Sequence, residues 1–374
     1  MRFIHTADWQ IGMKRHFFDE DAQARFSEAR ENAIRRMAEV ARATKAEFIV
    51  VAGDVFETHL LRPRTIRRAL DAMADISVPV LLLPGNHDPL DPASIYRSSE
   101  FLKAKPDRVR VLDTDEPIKV HDGVEVVGVP WMAKRLVEDR VAACLKHLPP
   151  TSGQLRVMVA HGATDQMGSL DMLGAIDLKI VEDAIGRGQL HYLALGDRHS
   201  TTQCGQTGRI WYSGAPEPTD YDEVDAGNLL VVDLELDRID VQRHPIGTWR
   251  FVKQVLDLEQ GTAEATLQRF FEGLPDKPHT IVNVNFRGTI SMLDQMALER
   301  TLEIYRQIFG AIDRHEHRDQ LAVLSDTGDF GDGELAGFAR DAFGVLMEGA
   351  KLPDPEGQHY RDAWSLYYRL IREV

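Results

Sequence analysis

Over the first 200 or so residues of this chain, short apolar runs repeatedly stop at a turn whose first side chains are Asp, Asn or His. Phe3-Ile4 leads to Asp8 and Gln10, and Phe48 to Val51 leads to Gly53-Asp54. Val80 to Leu83 leads to Pro84-Gly85-Asn86-His87, Val157 to Ala160 to His161, and Tyr192 to Leu195 to Gly196-Asp197-Arg198-His199. Brief apolar runs bounded by Gly or Pro read as buried strands. The segments between them carry helical spacing: Phe26, Ala29, Ala33, Met37 and Val40 form one apolar stripe, and Ile66, Leu70 and Met73 a second. Further runs at 124–129, 210–212 and 229–234 add strands. The alternation predicts an α/β (α+β) layered domain, two packed sheets with helices outside.

Strand-end loops held by a rigid sheet are a common place for chemistry. Two hard divalent ions a few ångström apart require a bridging carboxylate together with oxygen and imidazole ligands, and these turns supply both types. Singly, each element has a plainer explanation. Asp8 could cap a turn, Gly53-Asp54 could start a helix, and Gly85-Asn86 could be a tight turn. Their ordered recurrence is what points to a site. His5, His16, His59, His121, His147 and His191 fit no such pattern and read as surface or packing residues.

The rest of the chain has a different character. A chain of 374 residues is long for one core and predicts about two or three domains. The pattern shifts near Thr248. An amphipathic stretch at 265–271, a strand at 281–286 and a helix at 293–308 suggest a small βαβ-like unit, read as a cap. Two helical segments follow, at 336–347 and 360–371. The expected organisation is a catalytic domain at 1–248, a capping domain at 249–330 and a C-terminal helical segment at 331–374.

Composition narrows the possibilities. With 43% hydrophobic and 28% charged residues, neither disorder nor a membrane class is needed. No apolar run approaches the roughly 20 residues that span a bilayer. The N-terminus MRFIHTADWQ reads as a strand rather than a secretion signal. The two cysteines, Cys144 and Cys204, stand alone, which argues for a reducing, cytoplasmic compartment and against a thiolate metal site. A net charge of -15 gives no general attraction for nucleic acid, so any such contact needs bound metal or a local basic face. Arg62, Arg64, Arg67 and Arg68 are one candidate face, although charge runs are usually only solvated.

The order Asp-x-Gln, GDVF, GNHD, AHG, GDRH resembles the motifs of calcineurin-like metallophosphoesterases. HTADW, GDVF and YSGAPEP resemble the SbcD-type DNA repair nuclease subunit in particular. The resemblance implies a four-layer metallophosphoesterase fold. It also implies that Asp8, Gln10, Asp54 and His199 surround one metal ion and Asp54, Asn86, His161 and Asp197 the other, with Asp54 bridging and His87 beside the phosphate as the catalytic residue. Further implications are two divalent cofactor ions, DNA as substrate, exonuclease and single-strand endonuclease activity, a homodimer, and an SbcC-like coiled-coil ATPase partner. Two positions depart from the family pattern, which has histidine where this chain has Gln10 and where it has Asp197. Their oxygen ligands shift the expected metal toward Mn2+ or Mg2+ rather than zinc. No Walker-type phosphate loop, GxSxG elbow or paired cysteine nucleophile is present. Two rival readings remain: a small-molecule phosphodiesterase such as a cyclic-nucleotide enzyme, and a DNA-binding scaffold whose turnover is impaired by Gln10 and Asp197.

Overall fold

The computed structural model of the chain describes residues 1–135, 137–166, 174–324, 338–350 and the single positions 352, 357, 359, 360 and 363. It divides into two compact units, Met1–Arg250 and Phe251–Val374.

In chain order the first unit comprises β1 (Arg2–Thr6), α1 (Glu20–Thr44), β2 (Ile49–Val51), α2 (Pro63–Ala74), β3 (Val80–Leu82), α3 (Ser99–Ala104), β4 (Val109–Val111), β5 (Ile118–His121) and β6 (Val124–Val129). It continues with α4 (Arg140–Leu145), β7 (Leu155–His161), α5 (Leu178–Gly186), β8 (Tyr192–Gly196), β9 (Thr202–Cys204), β10 (Ile210–Tyr212), β11 (Asn228–Leu234) and β12 (Ile239–Pro245).

Two six-stranded sheets result, ordered β12-β11-β1-β2-β3-β4 and β5-β6-β7-β8-β10-β9. Strands β1 to β4 run parallel, with β11 antiparallel against β1; in the second sheet β6, β7, β8 and β10 are parallel. Period-2 alternation decides which side chain faces which layer. Phe3, Phe48, Val50 and Leu81 of the first sheet meet Val126, Val157, Val159, Tyr192 and Ala194 of the second in one buried cluster. Their chain neighbours Ile4, Ile49, Val51 and Val80 face the other way, against Ile34, Met37, Ile66 and Met73 of α1 and α2. On the far side, Met158, Leu193 and Leu195 pack on Val141 of α4 and Val181 of α5. Helix, sheet, sheet, helix is therefore the layering, as the alternation of runs predicts.

Helix α1 starts where Asp19 accepts a hydrogen bond from the Ala22 backbone, with Glu20 and Asp21 in its first turn, and it ends at Lys45 in the left-handed conformation. Helix α2 starts with Pro63, whose missing N–H costs nothing at that position.

The second unit contains β13 (Arg250–Glu259), α6 (Ala263–Gly273), β14 (Thr280–Ser291), α7 (Met292–Arg306), β15 (Ala311–Asp313), β16 (Gln320–Leu324) and α8 (Phe338–Ala350). Strand β14 pairs in parallel with both β15 and β16, so α7 is the crossover of a βαβ unit. Leu267, Phe271, Val284, Phe286, Leu298 and Leu302 form its core. Arg314, buried over the Phe286 ring, pairs with Glu299 and Asp319. The expected helix at 336–347 overlaps α8, and the one at 360–371 lies almost entirely outside the described residues. No helix among the described residues is long and apolar enough to cross a membrane.

Candidate functional site

The loops following β1, β2, β3, β7 and β8 leave the two sheets at the same end, and their side chains converge. Asp8, Asp54 and His161 are all buried, and each offers a ligand atom within 4.8 Å of the others. His161 Nε2 lies 3.5 Å from Asp54 Oδ2, 3.7 Å from Asp197 Oδ1 and 2.7 Å from Asn86 Oδ1. Asp8 accepts the Asp197 backbone N–H with both carboxylate oxygens, at 3.1 and 3.2 Å. Gln10 Nε2 stands 3.1 Å from His199 Nε2. The sequence-derived candidates Asp8, Gln10, Asp54, Asn86, His161, Asp197 and His199 thus lie together, with His87 beside them through its backbone N–H to Asp54 Oδ1 at 3.0 Å.

This packing dictates unusual backbone. Asp8 (φ 54°), Gln10 (φ 44°), Asp54 (φ 52°) and Asp197 (φ 96°) all occupy the left-handed region. For residues other than glycine that conformation costs on the order of 1 kcal/mol or more each, and it tends to persist at functional sites where surrounding structure enforces it. Hydrogen bonds do the enforcing: Asp8 N–H donates to the Gly53 carbonyl, Gln10 N–H to Asp54 and Ile11 N–H to Val55. Two glycines in the motifs have a packing reason. A Cβ at Gly53 would run into the His161 ring, and one at Gly85 into Asp54 Oδ1.

Each imidazole is oriented from behind. His161 Nδ1–H donates to the Ala52 carbonyl at 2.8 Å, aiming Nε2 into the cluster. His199 Nδ1 lies 2.8 Å from Glu223 Oε1 and 2.7 Å from Thr219 Oγ1; the Thr219 hydroxyl also bonds Glu223, and its backbone N–H donates to Oε2 at 2.8 Å. A carboxylate behind a histidine fixes the tautomer and raises its basicity as a ligand. His87 Nδ1–H donates to the Glu57 carbonyl at 3.1 Å, with Glu57 Oε1 at 3.7 Å. Asp88 accepts from Gly85 N, Phe56 N and Tyr96 OH, and so stitches the third loop to the second. Trp131 donates from Nε1 to the His161 carbonyl at 2.6 Å.

Crowded charge at this depth shifts protonation. Burial pushes the Asp8 carboxyl up to about 7, helped by Asp54 and Asp197 and opposed by His199 and His161. Burial also works against the charged form of His161, but Asp54, Asp197 and Asp8 outweigh it and hold the imidazolium well above its ordinary range. His199 is raised on the same balance, with Glu223 and Asp8 outweighing burial. Such a set calls for cations.

Gln10 carries the test of fit. It is 2% exposed, and among the described residues its Oε1 has no hydrogen-bond partner, an arrangement that costs about 1–3 kcal/mol when nothing satisfies the oxygen. A buried, unpartnered carbonyl oxygen next to an imidazole nitrogen and three carboxylates is a donor set suited to hard divalent ions.

Sequence reasoning missed Glu57, Thr219, Glu223, Asp88 and Trp131. Glu57 and Asp88 sit within the GDVFE and GNHD stretches, where their spacing to Asp54 and His87 was the available signal. Thr219 and Glu223 lie 20 and 24 residues from His199 and carry none. The basic run divides: Arg68 pairs with Glu31 of α1 at 2.8 Å, while Arg62, Arg64 and Arg67 stay exposed.

Known proteins share these motifs. The chain is 29% identical over 198 residues to the DNA double-strand break repair protein Mre11 of Archaeoglobus fulgidus, covering 48% of this chain and 42% of that protein. It is 26% identical over 134 residues to one of the two SbcCD nuclease subunits of Bacillus subtilis, covering 35% and 28%. These matches span less than half the length of either relative. Among solved structures, a dimetal phosphatase from Danio rerio aligns over 66% of this chain and 96% of its own at 13% identity and a TM-score of 0.41. Residues 1–225, which hold every motif described above, match the calcineurin-like phosphoesterases, and the chain belongs to that family.

Proposed function

We propose that this protein is a two-metal phosphodiesterase that cuts DNA, as an exonuclease and single-strand endonuclease in DNA end processing. The observation that carries the metal assignment is the meeting of Asp8, Asp54 and His161 beside the unpartnered Oε1 of Gln10. Asp8, Gln10, Asp54 and His199 would hold one ion, and Asp54, Asn86, His161 and Asp197 the other. Two divalent ions held there would neutralise charge on the phosphate oxygens and acidify water at the site.

The protein's own groups do the rest. Asp54 lies between the two ligand sets, so its carboxylate fixes their separation. Glu57 holds His87 Nδ1–H through its backbone carbonyl, leaving Nε2 to give a proton to the departing oxygen. Oxygen donors outnumber imidazoles, which favours Mn2+, with Mg2+ as the other candidate. Support for DNA as substrate comes from the likeness to Mre11 and to the SbcCD nuclease. The same likeness supports a homodimer working in the cytoplasm with an SbcC-like coiled-coil ATPase, and a DNA-capping role for residues 249–330. The net charge of -15 favours a second reading, hydrolysis of small phosphodiesters such as cyclic nucleotides.

The experiment is turnover of linear DNA and of bis(4-nitrophenyl) phosphate side by side with manganese, with magnesium and with chelator. Metal-dependent cleavage of both is expected. Hydrolysis of the small ester with intact DNA would leave the second reading in possession, and loss of neither activity in chelator would end the two-metal assignment.

A further inference from the structure

Helices α2 and α3 lie side by side on the outer layer of the first unit, and a cleft of about 500 Å3 opens between them. Its lining is Pro63, Arg64 and Arg67 from α2 and Ser99, Glu100 and Lys103 from α3. Arg64 and Arg67, three residues apart, share one helix face. All three cations are exposed, and among the described residues none of their side chains has an ion pair or hydrogen bond. Arg68 of the same run is different, since Glu31 neutralises it. In a chain of net charge -15, three unneutralised cations facing one cleft, with Glu100 as the single acid among its lining residues, form a local reversal of sign.

The cleft is tied to the catalytic loops at both walls. Glu57, whose carbonyl holds His87, is six residues before Pro63, where α2 begins. His87 and Asp88 lead through a turn at Ile95–Arg97 into α3. The two connecting segments are themselves joined, because His59 Nδ1 accepts the Ile95 backbone N–H at 3.4 Å and His59 Nε2 lies 3.5 Å from Asp91 Oδ1. A strand leaving the metal site past His87 therefore meets the open ends of both helices.

We infer that the α2–α3 cleft binds the phosphodiester backbone of DNA beyond the scissile phosphate, through Arg64, Arg67 and Lys103. The inference rests on the nuclease reading above and adds the contact that the acidic chain otherwise lacks. Backbone contacts of this kind release counterions, so each one steepens the fall of affinity with salt by somewhat less than one unit of log-log slope.

The test replaces Arg64, Arg67 and Lys103 together by Gln in the full chain, which keeps the exposed helices uncharged without reversing them. With manganese present, kcat/KM on single-stranded and duplex oligonucleotides is measured across a salt series, alongside turnover of bis(4-nitrophenyl) phosphate. The expected result is a loss on the order of tenfold or more in kcat/KM for DNA, carried by KM, and a salt slope shallower by about two. Turnover of the small ester should stay at the wild-type level. An unchanged salt slope on DNA overturns the inference, and so does equal loss on both substrates, which would place the effect in the fold or the metal site. If the wild type hydrolyses the small ester and leaves DNA intact, the nuclease reading fails first and the cleft assignment falls with it.

Discussion

His87 is held at both ends of its approach to the metal ligands by one residue: the Glu57 carbonyl lies 3.1 Å from His87 Nδ1, and the Glu57 carboxylate 3.7 Å from the same nitrogen. The carbonyl sets the tautomer, and the carboxylate favours the imidazolium. Replacing His87 by Ala is therefore expected to lower kcat on DNA by about a hundredfold or more while metal content stays near wild type. Glu57→Gln should cost less, roughly tenfold, because the backbone bond survives. Steady-state kinetics with metal analysis of both variants checks this; wild-type rates in His87→Ala would remove it from the mechanism.

Asp54 should behave differently. It lies within reach of His161, takes the His87 N–H, and its backbone carbonyl receives the Gln10 N–H. Asp54→Ala is expected to lose both metal and activity. Binding to the native state alone raises stability by RT ln(1 + [L]/Kd), about 2.7 kcal/mol at a hundredfold excess over Kd. Manganese should therefore raise the melting temperature of the wild type by several degrees and that of Asp54→Ala by none. A full manganese shift in Asp54→Ala would mean the ions sit elsewhere.

The strands legible in the sequence were the inner ones. β1, β2, β3, β6, β7, β8, β10 and β11 are flanked on both sides and read as apolar runs. The strands not read, β4, β12, β5 and β9, are the outermost strands of the two sheets. With a partner on one side only, an edge strand needs no continuous apolar run. Ile239-Asp240-Val241-Gln242-Arg243 of β12 shows how polar it can be, much of it exposed. The same logic applies to the site. Ligands stand directly at the ends of buried strands and are found by that punctuation. Their supports come from loops that only the tertiary fold brings near, as Thr219 and Glu223 are brought to His199. The left-handed backbone at Asp8, Gln10, Asp54 and Asp197 was invisible, because none of these residue types announces it as glycine does.

His5, read from sequence as a packing or surface residue, is fully buried, accepting from Tyr192 OH at Nδ1 (3.0 Å) and donating from Nε2 to the Leu195 carbonyl (3.1 Å). Burial pushes its pKa down to about 3, only partly offset by the Leu195 bond. The folded state therefore holds it neutral where the unfolded chain, with an ordinary value near 6.5, takes up a proton. Stability from this group is complete above about pH 6.5 and is lost as pH falls toward 3, by about 1.4 kcal/mol per unit. His5→Gln can keep both hydrogen bonds and does not titrate. Between pH 7 and pH 5, in chelator, the wild type should lose about 2 kcal/mol more than His5→Gln in denaturant unfolding. Parallel pH profiles for the two proteins would show that His5 is not the titrating group.

The last prediction concerns the two positions that depart from the family pattern. Gln10 offers a neutral oxygen that no described residue satisfies, and it sits 3.1 Å from His199 Nε2. Asp197 offers an anionic oxygen 3.7 Å from His161 Nε2, on a backbone with φ of 96°. If both are ligands, Gln10→His gives the first ion a stronger donor and should lower the manganese concentration for half-maximal DNA cleavage by about tenfold, equivalent to about 1.4 kcal/mol. Asp197→His removes a negative charge and a hard oxygen from the second site. It should weaken manganese and magnesium there and move the preference toward zinc, while adding strain where a ring must occupy a left-handed position. The measurement is a metal titration of DNA cleavage for the wild type, each single change and the double change. A wild type that cuts no DNA at any manganese level but is rescued by the double change would mark a scaffold that has given up turnover through these two residues. An active wild type indifferent to both changes would mean that neither side chain touches an ion, and the ligand sets would have to be redrawn around Asp8, Asp54 and His161 alone.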